Sequence, residues 1–313
     1  MAVGFVLVPH LAGFIAPSLR GVGSLGHFGV LIFFVHTSLV LMLSMERMQK
    51  TDGSLLFVSF YIRRFFRIYP LSIFAVLCAA LTGYGVLNLS ELLSNLSLTM
   101  NLTESKPALV PLWSLPYEVD MYLFLPVLFL FANRFRSPWA TFCLILACSV
   151  LALAQLGWSG RLDMIQYVGC FLPGIMAYQI SRPRFLWPAV LWPVFLVILA
   201  IVFAGLSALH LRLVFVPRWT VCLLLGLAAP QFQQIPLGLI RRAAGIVAQY
   251  SYGIYLLHMF AMHISFVKLA AWPIPLRVIT FVATMVAFPF AAYHLIEKPG
   301  INVGKRLVTR RSR

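Results

Sequence analysis

Histidines embedded in apolar sequence are the first residues in this chain able to do chemistry. His10 stands in GFVLVPHLAGF, and nothing in the local sequence pairs with it. A neutral imidazole acts as a general base near pH 7, so His10 is a candidate base. His36, in FFVHTSLVL, and His258, in YSYGIYLLH, are set in the same way. Each reads equally as a satisfied core histidine, and for His36 that reading is favoured. His27, beside a helix start, supports either reading. The five cysteines, Cys78, Cys143, Cys148, Cys170 and Cys222, all lie in apolar runs and form no C-x-x-C pair. They read as small core hydrophobes rather than disulfides or metal ligands, and no metal site is expected.

Charged groups supply the second kind of chemistry. In FYIRRFFRIYP (60–70), Arg64 and Arg67 are three apart and share a helix face. Arg63 adds a third charge. Anchoring at a membrane face is the ordinary role for such arginines. Three in five residues, interleaved with Phe65, Phe66 and Tyr69, are denser than anchoring needs. Arginine forks suit phosphate, so a phosphate-bearing cytoplasmic ligand is expected here.

Carboxylates are scarce, eight in the whole chain. Two of them, Glu118 and Asp120, fall in LWSLPYEVDMYLFLP (112–126), where Ser114 suits a helix cap and Pro116 a first turn. The helix dipole favours an acid there. Glu118 and Tyr122, four apart, share a face. Glu297, in AAYHLIEKPG (291–300), is expected at a helix C-terminus, where the dipole disfavours an anion. It needs a cation, either Lys298 or the arginines at 63–67 on the same membrane face.

The elements that position these residues follow from composition. The chain has 313 residues, 61% of them hydrophobic and only 10% charged, against about 25% charged in a soluble domain. Runs near 1–16, 25–45, 66–87, 112–132, 139–157, 164–181, 186–206, 212–230, 247–269 and 273–296 approach the roughly 20 apolar residues that cross a bilayer. The expected fold is all-α, a polytopic membrane helix bundle of about ten transmembrane helices forming a single domain over residues 1–313. The run at 212–230 is the weakest of the ten, with Arg212 and Arg218 in or beside it. The formal net charge is +16. It reflects basic cytoplasmic loops, and no nucleic-acid partner is expected. With both termini cytoplasmic, every inner loop holds at least two Lys or Arg, while Arg20, Lys106, Arg161, Arg212, Arg218, Lys268 and Arg277 fall outside or within helices. His10 and Glu118 then lie at similar heights near the outer face, and their approach is expected. No cleavable signal peptide is read at the N-terminus. The sequons at Asn88, Asn95 and Asn101 carry little weight.

Taken in order, these segments resemble the acyltransferase-3 family of integral membrane acyltransferases, which includes O-antigen and exopolysaccharide O-acetyltransferases. His10 falls at the family's first-helix histidine. GSLGHFGVLIFFVHTSLVL (23–41) is similar to its glycine-rich turn and G-V-x-x-F-F-V helix. FYIRRFFRIYP matches its R-x-x-R region, WSLPYEVDMY its W-S-L-x-x-E-x-x-x-Y motif, and SYGIYLLH and LIEKP its late motifs. The resemblance implies transfer from acetyl-CoA or another acyl-CoA to a hydroxyl of a cell-envelope carbohydrate or glycolipid. It places the protein, multi-pass, in a cell membrane of the bacterial inner-membrane kind, among membrane lipid. His10 would be base or acyl carrier, with Glu118 orienting it or the sugar. Arg64 and Arg67 would hold the CoA phosphates, with Tyr122, His258 and Glu297 in support. Three features depart from the pattern. The family's arginine eleven residues before the histidine would precede Met1, so the chain reads as starting late or as a degenerate member. Leu31 replaces an aspartate, and Thr37-Ser38 replaces S-G. The alternatives are a membrane transporter or flippase and a catalytically inactive relative.

Overall fold

A computed structural model describes residues 2–15, 23–85, 87–155, 164–180, 186–209, 213–234 and 238–311. Arg20, Arg161 and Arg212, and the inner-loop charges Arg182, Arg184 and Arg313, lie outside the described residues. The protein is an all-α membrane bundle. Its helices are α1 (Ala2–Ile15), α2 (Gly23–Asp52), α3 (Leu56–Leu81), α4 (Leu89–Ser97), α5 (Met100–Thr103), α6 (Leu115–Phe135), α7 (Pro138–Gln155), α8 (Ile165–Gln179), α9 (Trp192–Ala208), α10 (Phe215–Ala228), α11 (Leu239–Met262), α12 (Ile274–Ala292) and α13 (Lys298–Arg311). The only β pairing among the described residues is an isolated bridge, Trp187 to Phe232. Each apolar run coincides with a helix. Five helical stretches among the described residues are long and apolar enough to cross a membrane.

The helices run past several of the apolar runs, which moves four candidate residues. α3 begins at Leu56, so Arg63, Arg64 and Arg67 lie within it rather than at its inner end. After α12 the chain continues through a π turn, Tyr293–Glu297, directly into α13. Glu297 is therefore not at a helix C-terminus, and the dipole argument for it does not hold. The cause of the π turn is Pro299, which has no N–H and whose ring crowds the carbonyl four residues back. The wider turn relieves this, with the Lys298 N–H bonded five residues back to the Tyr293 carbonyl.

By packing, the chain forms two compact units interleaved in sequence: Met1–Val6, Gly21–Leu56 and Tyr117–Pro236; and Leu7–Arg20, Phe57–Pro116 and Leu237–Arg313. In the first, α8 is the hub, packed by α2, α7 and α10. Lipid tails give no hydrophobic drive between helices, so close approach through small residues must hold them. A Cβ on Gly174 would lie 2.2 Å from the Val35 carbonyl, and one on Gly169 would enter the Trp219 ring. The same residues satisfy buried polar groups: Trp219 Nε1 donates to the Gln166 carbonyl at 2.8 Å. Phe34, Ser38, Leu41 and Met45 form the buried stripe of α2. His36 is off that stripe and exposed, so it is not the core histidine expected. Cys170 and Cys222 are buried here, whereas Cys143 is exposed; all five cysteines are free.

In the second unit, the loop before α6 is ordered by Asn95. Its fully buried amide donates to the Glu91 and Lys106 carbonyls (2.8 and 2.9 Å) and accepts from the Ala108 N–H (2.7 Å). The sequon at this position is thus a structural staple. Asn88 caps α4 reciprocally with Glu91.

The segment holding Asn95 and the turn after Arg134 are separated by one long helix, α6. Topology reporters fused at residues 98 and 136 are expected to report opposite sides, outside and cytoplasmic. The same side for both would remove α6 as a span.

Candidate active site

His10 on α1 and His258 on α11 form a hydrogen-bonded pair in the second unit. His258 Nε2 lies 3.1 Å from His10 Nδ1, with ring centroids 5.0 Å apart. His258 is completely buried. Its Nδ1 faces two carbonyl oxygens, Tyr255 at 2.8 Å and Ile254 at 3.2 Å. Carbonyls only accept, so Nδ1 must carry a proton. In the neutral pair, His258 Nε2 then accepts from His10 Nδ1–H. That leaves the lone pair of His10 on Nε2, the form a general base needs. The backbone of α11 thus fixes the tautomer of a side chain on α1.

The carbonyl that holds His258 belongs to a residue that is itself held. The Tyr255 hydroxyl donates to the Pro111 carbonyl at 2.8 Å and meets Ser114 Oγ at 2.7 Å. Pro111 and Ser114 lie in the short 3₁₀ turn Val110–Ser114 that precedes α6. Sequence reasoning assigned Ser114 to capping and missed Tyr255. The signal was present: Tyr255 sits three residues before His258, so both project from one face of α11.

At the other candidate site, Arg67 forms a salt bridge and hydrogen bond with Glu297 through Nη1 and Oε1. The Glu297 side chain is fully buried. The contact is made by α13 lying against α3. A Cβ on Gly300 would be 2.8 Å from the Phe66 carbonyl, and one on Gly304 would be 3.0 Å from Phe66 Cβ. This small-xxx-small spacing lets the two backbones close, and the π turn then delivers Glu297 to Arg67. The G-I-N-V-G sequence at 300–304 was the readable signal for this contact. Tyr252 on α11 also ties to α3, donating to the Ile68 carbonyl at 2.9 Å. Arg63 and Arg64 stand beside Arg67, partly exposed. Three arginines against one glutamate leave this corner of the second unit positively charged.

In the first unit, the Tyr122 hydroxyl donates to Glu118 on the same face of α6. The shared face expected from the four-residue spacing is thus used by a hydrogen bond. The expected pairing of His10 with Glu118 joins residues of different units. Among the described residues, no group of three His, Cys, Asp or Glu side chains could hold a metal ion.

Membrane-spanning helices that turn histidine, tyrosine, arginine and carboxylate groups toward one another define a polytopic membrane protein with a buried polar site. The chain matches the family model described as "Acyltransferase domain" over residues 2–294, and it belongs to that family, the acyltransferase-3 family. It is a membrane acyltransferase. No curated protein and no solved structure matches it.

Breaking a buried ion pair from one side strands the other charge. In a double-mutant cycle, Arg67→Ala and Glu297→Ala are expected to destabilise singly and to be strongly non-additive together. The coupling should be about 1–3 kcal/mol, read from thermal unfolding in detergent. Additive losses would mean the pair is not formed.

Proposed function

We propose that the protein transfers an acyl group, of the acetyl class, from acyl-CoA to a hydroxyl of a cell-envelope carbohydrate or glycolipid, with His10 as general base. The observation that supports this is the tautomer chain running from the Tyr255 carbonyl through His258 to His10. A buried His–His pair without a fixed tautomer leaves either nitrogen protonated. Here the backbone selects the one arrangement in which His10 Nε2 receives a proton. His10 takes the proton of the acceptor hydroxyl as the oxygen attacks the thioester carbonyl and the thiolate leaves. His258 is a positioning residue, holding the imidazole ring and its tautomer. Glu118 is assigned to orient the acceptor, with Tyr122 holding its carboxylate. The setting proposed is the inner membrane of a bacterial cell.

Arg64 and Arg67 are assigned to the CoA phosphates. The positive surplus of the α3–α13 corner fits a polyphosphate, and the bidentate geometry of guanidinium suits it. Glu297 supports Arg67 as a structural partner. Arg64→Ala is expected to weaken acetyl-CoA binding far more than Arg134→Ala, measured by equilibrium binding to membranes. Equal losses would reduce Arg64 to an anchoring charge.

Transfer from labelled acetyl-CoA in membranes tests the reaction itself. General-base help is worth about 10²–10⁴ in rate, so His10→Ala should lose about that much while the protein stays folded and membrane-inserted. Glu118→Gln should also slow transfer. His258→Phe should slow it with unchanged acetyl-CoA binding and a shifted pH–rate profile, whereas a purely structural role would lower abundance alone. Full specific activity in the surviving His10→Ala protein would overturn the catalytic assignment and favour an inactive relative.

A further inference from the structure

We propose that a cavity at the outer end of the first unit binds the anionic group of an acidic carbohydrate. In that unit α2 begins, α9 ends and α10 begins around one cavity of about 360 Å³. In the inferred topology this is the end facing outside. The polar lining comprises Ser24, His27, Ser207 and Arg218, against Phe203 and Leu206. Binding pockets run from about 300 to 1,000 Å³, so the space suits one sugar ring rather than a chain.

Arg218 gives the cavity its charge. An arginine in the first turns of a spanning helix ordinarily snorkels to the lipid interface. This one turns inward, with its guanidinium 4.8 Å over the Tyr167 ring. Among the described residues its partner is that ring and not a carboxylate. The stacking holds the planar fork in place and leaves its N–H donors for a ligand. The N-terminal ends of α2 and α10 and the C-terminal end of α9 meet at the same cavity, so two positive dipole ends stand against one negative.

The remaining lining argues for a carbohydrate rather than a bare anion or a lipid headgroup. The His27 ring stacks on Phe203 at 5.9 Å and 18°, giving a flat wall on which the C–H face of a sugar packs. Ser24 and Ser207 supply hydroxyls able to donate to or accept from sugar hydroxyls. Calling this carbohydrate the acyl acceptor rests on the proposed transfer reaction; binding of the acidic sugar does not.

The test uses the purified full chain in detergent, with thermal unfolding as readout and glucuronate, glucose 1-phosphate, glucose and inorganic phosphate as probes. Glucuronate or glucose 1-phosphate should raise Tm saturably, and glucose at the same concentration should not. Whichever acid acts names the anion as carboxylate or phosphate. Arg218→Gln should raise the half-saturating concentration about tenfold or more. Ser207→Trp, which fills the cavity while keeping the charge, should do likewise. Both variants should bind acetyl-CoA as the parent does, which also shows that they are folded. An equal response to glucose, or one that survives Arg218→Gln, overturns the proposal. Inorganic phosphate acting as well as glucose 1-phosphate makes the site a simple anion site and overturns the carbohydrate assignment. So does loss of the sugar response in nanodiscs rich in phosphatidylglycerol relative to phosphatidylcholine, which would assign the cavity to a lipid headgroup. Failure of acetyl transfer in the parent protein, with the sugar response intact, would remove the acyltransfer reading and leave the cavity's ligand standing.

Discussion

Lipid tails offer no hydrogen bonds, so each polar group placed inside a spanning bundle must find its partner within the protein. The cost of failing is several kcal/mol per group. The polar contacts of this chain follow from that constraint. His10 meets His258, Tyr255 meets Pro111 and Ser114, Tyr122 meets Glu118, and Arg67 meets Glu297. In the first unit, Gln166 donates to Gln155 and to the Ala152 carbonyl. The same contacts that avoid the penalty also orient side chains, so the chemistry and the packing of this bundle have a common origin.

Glycine decides where such contacts form. Hydrophobic association does not draw helices together in lipid, and van der Waals contact at short range must do so. Gly169, Gly174 and Gly226 bring α8 against α10 and α2, while Gly300 and Gly304 seat α13 on α3. Only with α13 this close does Glu297 reach Arg67. A side chain at Gly300 would collide with the Phe66 carbonyl and hold the carboxylate away from its cation. The π turn forced by Pro299 and the glycine pair after it therefore act on one outcome, the neutralisation of a fully buried glutamate.

The two histidines show how a structural contact becomes a chemical one. A single buried imidazole carries its proton on whichever nitrogen has an acceptor. His258 has carbonyls on one side only, so its tautomer is set, and through it that of His10. Tyr255 stabilises this arrangement twice, by its own carbonyl and by the hydroxyl that anchors α11 to the turn before α6. Membership of an acyltransferase family and a pre-set imidazole tautomer on the first helix are mutually consistent, because the proposed acylation of a hydroxyl requires removal of one proton.

The helices were legible in the sequence because spanning a bilayer is a local property: some twenty apolar residues suffice, and each run became a helix. The shared face of Glu118 and Tyr122 was legible for the same reason, a four-residue spacing on one helix. That Glu297 requires a cation was also readable, although the helix continues past it and burial, not the dipole, is the cause. His36 was misread because one apolar run does not reveal which stripe of its helix is buried. The pairing of His10 with His258 links residues 248 apart in sequence, and the cavity at Arg218 needs the ends of three helices. Neither has a local signature. The sequence by itself determined which segments form apolar helices and which of their residues are too polar to be left alone. Only the tertiary structure decided which of them meet, because that depends on how closely distant helices approach.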